Sequence, residues 1–389
     1  MRVVLVDLMC NSPFYCAELT RALCDAGVDA ALASPRFHLE PRFMDDYPRP
    51  AWISDLVVHA RRPRPARLAV RAVEGSLNYA RLLARIRARA FDVVHVQWVP
   101  FEGRASPFMR VLRSWCDRAG TLLVYTAHNA VPHDSARIDR KALRRDLDSA
   151  HLVVAHTEHV AHELAHDIGT VTPIVVLPHG PLFGTRQLPA REEAVARVGR
   201  PSRPVVLFQG LIRRYKGLDL VAGAWQEVIK SFPDASLLVV GRIADASAAG
   251  DAARLRGQKN VHVIDRFVRV SEMLDYYAVA DVVVFPYRRT SQSGSLMTAV
   301  GLGRPTVVTP IDGLREQVEG LRSAVVADDV SEAALARALV ASLGRREAMA
   351  AAAEEDRRMV ASFPTGWASV ARATAQAYET RRRALGYDR

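Results

Sequence analysis

Short, nearly unbroken apolar runs recur along the chain, and between them apolar residues return every three or four positions. The runs fall at residues 2–8, 28–33, 92–96, 122–126, 151–155 and 174–177, and again at 205–208, 236–240, 261–264, 282–285 and 306–308. Strands apolar on both faces are buried on both faces, the habit of parallel sheets covered by helices. The stretches between supply those helices: 13–26 closed by Gly27, 107–118, 218–232, 271–278, and 295–302 stopped at Gly303. A last helix over 367–383 carries Arg381, Arg382 and Arg383 in its final turn, where cations suit the helix dipole. The predicted class is α/β, with two doubly wound parallel-sheet domains in succession. Expected boundaries are 1–183, a polar, proline-containing linker at 184–204, 205–362, and the C-terminal helix 363–389, packing back towards the first domain.

Composition narrows the class. A chain of 389 residues, 49% of them hydrophobic, can build a proper core in each of two or three domains. The four cysteines, Cys10, Cys16, Cys24 and Cys116, form no CxxC pair, which argues against a disulfide framework or a zinc ribbon and for a reducing compartment. The opening strand MRVVLVDLM has an aspartate inside it and lacks the features of a leader peptide. No run approaches the roughly 20 apolar residues of a membrane span. A soluble, cytoplasmic protein is expected. The net charge of +11 favours anionic partners. Nucleic acid is disfavoured among them, because zinc-finger spacing, RNP-type aromatics and long Lys/Arg blocks are missing. Nine arginines face one acid, Glu74, between Arg61 and Arg89, where helical periodicity runs from Arg67 to Ala90. Two readings stay open: a helix lying on the anionic inner face of a membrane, or the solvated face of an ordinary surface helix.

Ligands of doubly wound sheets sit at the carboxyl ends of the strands. The first strand ends in Met9-Cys10-Asn11-Ser12-Pro13, without GxGxxG; Ser12 is a candidate contact there. His128, Asn129 and His133 follow the strand at 122–126, His156 follows 151–155, and His179-Gly180 follows 174–177. In the second half, Gln209-Gly210-Leu211-Ile212-Arg213-Arg214-Tyr215-Lys216-Gly217 places three cations between glycines. Lys supplies a mobile point charge for phosphate, and Arg can bind two oxygens at once. Farther on, Thr290-Ser291-Gln292-Ser293-Gly294 turns into the helix at Ser295, aiming free N–H groups at an anion. Gly210, Arg213, Arg214, Lys216, Gln292, Ser293, Gly294 and Ser295 are thus candidates for one diphosphate clamp. His162-Glu163-Leu164-Ala165-His166 matches the zinc-protease pattern HExxH. The metzincin continuation has Thr172 where a third histidine belongs, and Glu192 or Glu193 would have to complete a site. No metal site is expected.

The two tandem halves, GLIRRYKG, QSGSLMTAVGLGRP, YTAHNAVPH, LPHG and the C-terminal helix together resemble GT-B glycosyltransferases, in particular glycosyltransferase family 4, the glycogen synthase/mannosyltransferase-like group. The resemblance spans essentially the whole chain. It implies two Rossmann-like domains facing a central cleft, the first holding the acceptor and the second a nucleotide-sugar donor. It implies catalytic roles for His128, Lys216 and Arg213, with Ser12, Asn129, His133, His156, His179 and Gly180 lining the acceptor side. Retention of anomeric configuration, and a reaction without metal or cofactor, are implied in the same way. One departure stands out: aligned on GLGRP, Thr290 and Thr298 occupy places where many members carry glutamates. Thr298 is therefore a weaker donor contact than an acid, and Glu316 is a candidate substitute. The acceptor would be a sugar or lipid-linked glycan in exopolysaccharide synthesis, or a small cytosolic molecule such as a natural product. A UDP-sugar epimerase and a non-catalytic nucleotide-binding protein would share the architecture.

Overall fold

A computed structural model describes residues 1–56, 64–99, 107–129, 139–184, 186–362 and 364–387. The chain divides into two compact units: Met1–Gly180 with Pro364–Arg389, and Pro181–Phe363.

The first unit runs β1 (Arg2–Val6), α1 (Pro13–Asp25), β2 (Asp29–Ala33), α2 (Arg64–Arg87), β3 (Val93–Val96), α3 (Phe108–Ala119), β4 (Leu122–Thr126), α4 (Arg140–Asp148), β5 (Leu152–Ala155), α5 (Glu158–His162) and β6 (Ile174–Val176). All six strands are parallel, in the order β2-β1-β3-β4-β5-β6. Val4, Val94, Leu123 and Val153 are fully covered on one face, and Val93, Leu122 and Val124 on the other, as two-sided burial requires.

The second unit runs α6 (Arg191–Arg197), β7 (Val205–Gln209), α7 (Leu218–Ser231), β8 (Ser236–Val240), α8 (Ala246–Arg256), β9 (Val261–Ile264), α9 (Val270–Val279), β10 (Val282–Phe285), α10 (Gly294–Gly301), β11 (Thr306–Val308), α11 (Asp312–Val318), β12 (Ala324–Val326), α12 (Glu332–Gly344) and α13 (Arg346–Val360). Its parallel order is β12-β11-β10-β7-β8-β9. Helix α7 shows why pattern becomes structure: Leu218, Val221, Trp225 and Val228 share one stripe, and all are buried in the core with Phe208 and Val239. Burying each such side chain is worth roughly 1.5–3 kcal/mol.

Two segments differ from the sequence expectation. The stretch expected as a linker is tied into the second unit, since α6 sets Arg197 on Asp275 at 2.7 Å and Arg191 on Asp281 at 3.3 Å. Its polar character reflects these ion pairs. The HExxH segment leaves the α-helical path, because α5 ends at His162 and residues 163–168 form a π-helix closed by Gly169 at φ 72°. His162 and His166 lie on the surface with ring centroids 4.3 Å apart. Among the described residues no group of three His, Cys, Asp or Glu side chains is placed to hold a metal ion.

The last helix, α14 (Trp367–Ala384), belongs to the first unit, where Tyr378 is fully buried and its hydroxyl meets His95 Nδ1 at 2.6 Å. Arg381 and Arg382 donate to the carbonyls of His151 and Asp92, at 2.8 and 2.7 Å. The terminal arginines therefore bind strand ends as well as suiting the helix dipole. Helix α2 is anchored by fully buried Asn78, whose Oδ1 accepts from the Ser54 N–H at 2.9 Å, and by Leu82 and Ile86 in the core. Among the described residues no helix is long and apolar enough to cross a membrane.

Candidate functional site

In the second unit, β7 ends at Gln209 and turns through Gly210 at φ 130°, a conformation that strains any side chain. Gly241, at φ 139°, packs so closely that a Cβ on it would stand 1.9 Å from the Gly210 carbonyl oxygen. Beyond Gly210, Arg214–Lys216 form one 3-10 turn, and Gly217 at φ 71° lies against the Pro286 carbonyl at the end of β10. This tight path turns Lys216 inward. A Cβ on Gly210 would lie 2.8 Å from Lys216 Nζ and 3.3 Å from Ser295 Oγ. Gly210, Lys216 and Ser295 thus meet at the carboxyl end of the sheet.

Lys216 is 7% exposed and sits over the Tyr287 ring, 5.0 Å from its centroid. No carboxylate lies within ion-pair distance of it among the described residues. Burial works against its charge, while Tyr287 and Tyr215 act the other way and hold the pKa above the ordinary value. That attraction needs a phenolate and belongs to alkaline pH; at neutral pH the ammonium is charged, and only ring and hydroxyl dipoles face it. Arg213, half-buried beside it, repels it slightly. Arg214 is exposed, with its N–H on Asp245 Oδ2 at 2.8 Å.

The turn before α10 is held from both sides. Ser293 caps the helix, its Oγ accepting from Leu296 N–H at 3.1 Å, and its own N–H donates to Gln317 Oε1 at 2.7 Å. The Thr290 hydroxyl donates to the Gln292 carbonyl at 2.5 Å, and Gly313 lets the 290–291 carbonyls approach α11. The cap leaves the N–H groups of Gly294 and Ser295, in the first turn, without intrahelical acceptors. A positive helix end therefore stands beside a buried cation. Thr298 is buried, and its hydroxyl donates back to the Gly294 carbonyl at 2.8 Å. Glu316 is half-buried on α11, next to the Gln317 that braces Ser293. Sequence reasoning missed Tyr287, Gly241 and Gln317, which act through contacts made only on folding.

In the first unit, His128, His156 and His179 meet around Tyr15 of α1, with ring centroids 5.2, 5.1 and 4.9 Å from it. Trp98 stacks on His128 at 5.0 Å, and its Nε1 donates to Ser12 Oγ at 2.7 Å. Asp7 fixes that loop by accepting from the N–H groups of Asn11 and Ser12. His128 Nε2 is 3.2 Å from Gln97 Oε1. His156 Nδ1 donates to the Leu177 carbonyl at 2.9 Å, and His179 Nδ1 to that of Gly180 at 2.7 Å. His156 Nε2 is buried and has no hydrogen-bond partner among the described residues. Burial pushes His156 down to about 3 and His179 to about 4, and holds His128 well below its ordinary value, so all three are neutral at pH 7. Gly180 is required by Trp367, whose ring would lie 2.5 Å from a Cβ there. Asn129 is half-buried beyond His128; His133 lies outside the described residues. Tyr15, Gln97, Trp98 and Trp367 were not legible as site neighbours, since they come from three separate segments.

Two doubly wound units, one carrying a buried lysine beside a helix start at its strand ends, define the GT-B class of fold. Solved structures that share it include HepE from Anabaena in complex with UDP and glucose (TM-score 0.72, 13% identity, 98% of this chain and 100% of that one) and sucrose-phosphate synthase from Thermosynechococcus elongatus (0.69, 15%, 99% and 100%). The sequence family described as Glycosyltransferase Family 4 matches residues 14–180, and that described as Glycosyl transferases group 1 matches 203–345. The chain belongs to the family 4-like GT-B glycosyltransferases. Relatives include D-inositol 3-phosphate glycosyltransferase of Segniliparus rotundus, 28% identical over 54% of this chain and 51% of its own length. Another is 2-deoxystreptamine N-acetyl-D-glucosaminyltransferase of Streptomyces fradiae, 28% identical over 82% and 79%. The chain spans about half to three-fifths of the length of the inositol-phosphate and glycolipid enzymes it matches.

Proposed function

We propose that this protein is a retaining glycosyltransferase that moves a sugar from a nucleoside-diphosphate donor to a hydroxyl, without a metal. The observation that carries the reading is the buried Lys216 ammonium, lacking a carboxylate, over Gly210 and beside Ser295 at the start of α10. As the bond between the anomeric carbon and the β-phosphate oxygen breaks, negative charge grows on the diphosphate. Lys216 and the N–H groups of Gly294 and Ser295 stabilise that charge, with Arg213 in support. The freed phosphate oxygen takes the proton of the incoming hydroxyl on the same face, which retains configuration. The neutral histidines of the first unit serve as hydrogen-bond partners for sugar or acceptor hydroxyls, His156 Nε2 as an acceptor. The test is a thermal-shift panel of UDP, GDP, ADP and TDP, followed by mass spectrometry of the matching nucleotide-sugar. Hydrolysis or transfer with release of the diphosphate is expected. Donor binding without either would leave a nucleotide-binding protein, and an altered sugar still on its nucleotide would mean an epimerase.

For the acceptor, relatives named for D-inositol 3-phosphate and for 2-deoxystreptamine favour a polyhydroxylated six-membered ring, a small cytosolic acceptor. The lipid-linked alternative draws on a relative named GDP-mannose:glycolipid 4-beta-D-mannosyltransferase, from Xanthomonas campestris, and on Val73 and Leu77, 63% and 38% exposed on basic α2. Co-sedimentation with anionic vesicles, lost on Val73→Asp, would select the second reading; no binding would leave the first.

A further inference from the structure

At the amino-terminal edge of the second sheet, opposite the strand ends that carry Lys216, lies a cationic cavity of about 350 Å³. Four arginines from separate segments line it: Arg191 on α6, Arg203 before β7, Arg304 before β11 and Arg346 at the start of α13. Two acids, Asp281 and Glu347, share the wall. Asp281 is already occupied. It takes Arg191 at 3.3 Å, Arg203 in a closer pair, and the N–H of Val205 at 2.7 Å. Arg304 is largely buried, and among the described residues it has no carboxylate partner. Its bonds to the carbonyls of Leu302 and Ala280 are long, 3.4 and 3.5 Å. Burial and the nearby Arg191 work against its charge and outweigh the opposing pull of Asp281 and Glu354.

We propose that this cavity is a binding site for a phosphate dianion, free or as a phosphate monoester. The two positive charges left over by the acids match a dianion, whereas a single carboxylate would neutralise half of them. Guanidinium groups arriving from several directions suit a tetrahedral oxyanion. The cavity exceeds the needs of a bare phosphate and falls within the size range of small-molecule pockets, so a sugar-sized ester fits. The site is separate from the donor cradle. It also lies on the same elements: α10 begins at the cradle and ends three residues before Arg304, and β10 begins after Asp281 and ends before Tyr287.

The experiment is calorimetric titration of the full chain with inorganic phosphate and with glucose 6-phosphate, at constant ionic strength. Lys216→Ala, Arg304→Gln and Arg346→Gln are titrated in parallel. Phosphate binding that survives Lys216→Ala, weakens at least tenfold in Arg304→Gln and weakens severalfold in Arg346→Gln is expected. Equal affinity for the two ligands would mean recognition of phosphate alone, and tighter binding of glucose 6-phosphate would mean an ester site; both support the proposal. Arg346 is exposed, so its variant decides the matter should Arg304→Gln fail to fold. Binding abolished by Lys216→Ala, or unchanged in both arginine variants, would overturn the proposal while leaving the glycosyltransferase reading intact.

Discussion

Replacing Lys216 by Met separates catalysis from folding more sharply than any other single change. The side chains are of similar length, so Met fills the space beneath Gly210 and above Tyr287 while removing the charge. A unit charge about 4 Å from a phosphate oxygen, at an effective dielectric near 20, is worth about 4 kcal/mol. Donor ground state and transition state share part of this, and the remainder corresponds to a loss of roughly 10²–10³-fold in kcat. Stability should move the other way. An ammonium 7% exposed with no carboxylate partner loses hydration that its surroundings only partly replace, so Met is expected to raise Tm by a few degrees. The assay pairs turnover of the preferred nucleotide-sugar with thermal unfolding of the same sample. A lysine that merely packs would lose stability and keep its turnover per folded molecule. Activity within about threefold of the parent, at unchanged donor affinity, would refute the clamp.

Three further outcomes follow from the geometry. Gly241→Ala should cost about 3 kcal/mol and weaken donor binding, because its Cβ would collide with the Gly210 carbonyl at 1.9 Å and φ is 139°; denaturant unfolding and nucleotide titration read the two effects. Gly180→Ala should displace Trp367 and destabilise the first unit by about 1–3 kcal/mol, seen as altered tryptophan fluorescence and a lower unfolding midpoint. Acid should destabilise the fold below about pH 6.5. There the unfolded chain protonates His156 and His179, while the folded chain, with values of about 3 and 4, does not, so stability rises with pH between roughly 4 and 6.5. Each histidine accounts for about 1–2 kcal/mol at pH 5, and a flat Tm between pH 7.5 and 5, or an unaltered slope in His156→Gln, would contradict the assignment.

By itself the sequence determined the strand series, the two-part α/β architecture, the glycines at the special turns and the cationic and polar segments at the strand ends. These features are local: a run of Val and Leu buries itself on both faces, and a Gly followed by a polar turn signals its backbone wherever it lies. Only the tertiary structure decided which of those residues meet. It turned Lys216 inward and left Arg214 in solvent, because Gly217 must press against Pro286. It spent the Thr298 hydroxyl on the Gly294 carbonyl, and it assembled Tyr15, Trp98, Trp367 and three histidines from distant parts of the chain. It also bound the polar stretch after Pro181 to the second unit through Asp275 and Asp281, and gathered Arg191, Arg203, Arg304 and Arg346 around one cavity. Which charges share a dehydrated space depends on distances that sequence separation does not encode, and that proximity is what gives Lys216 and Arg304 their chemistry.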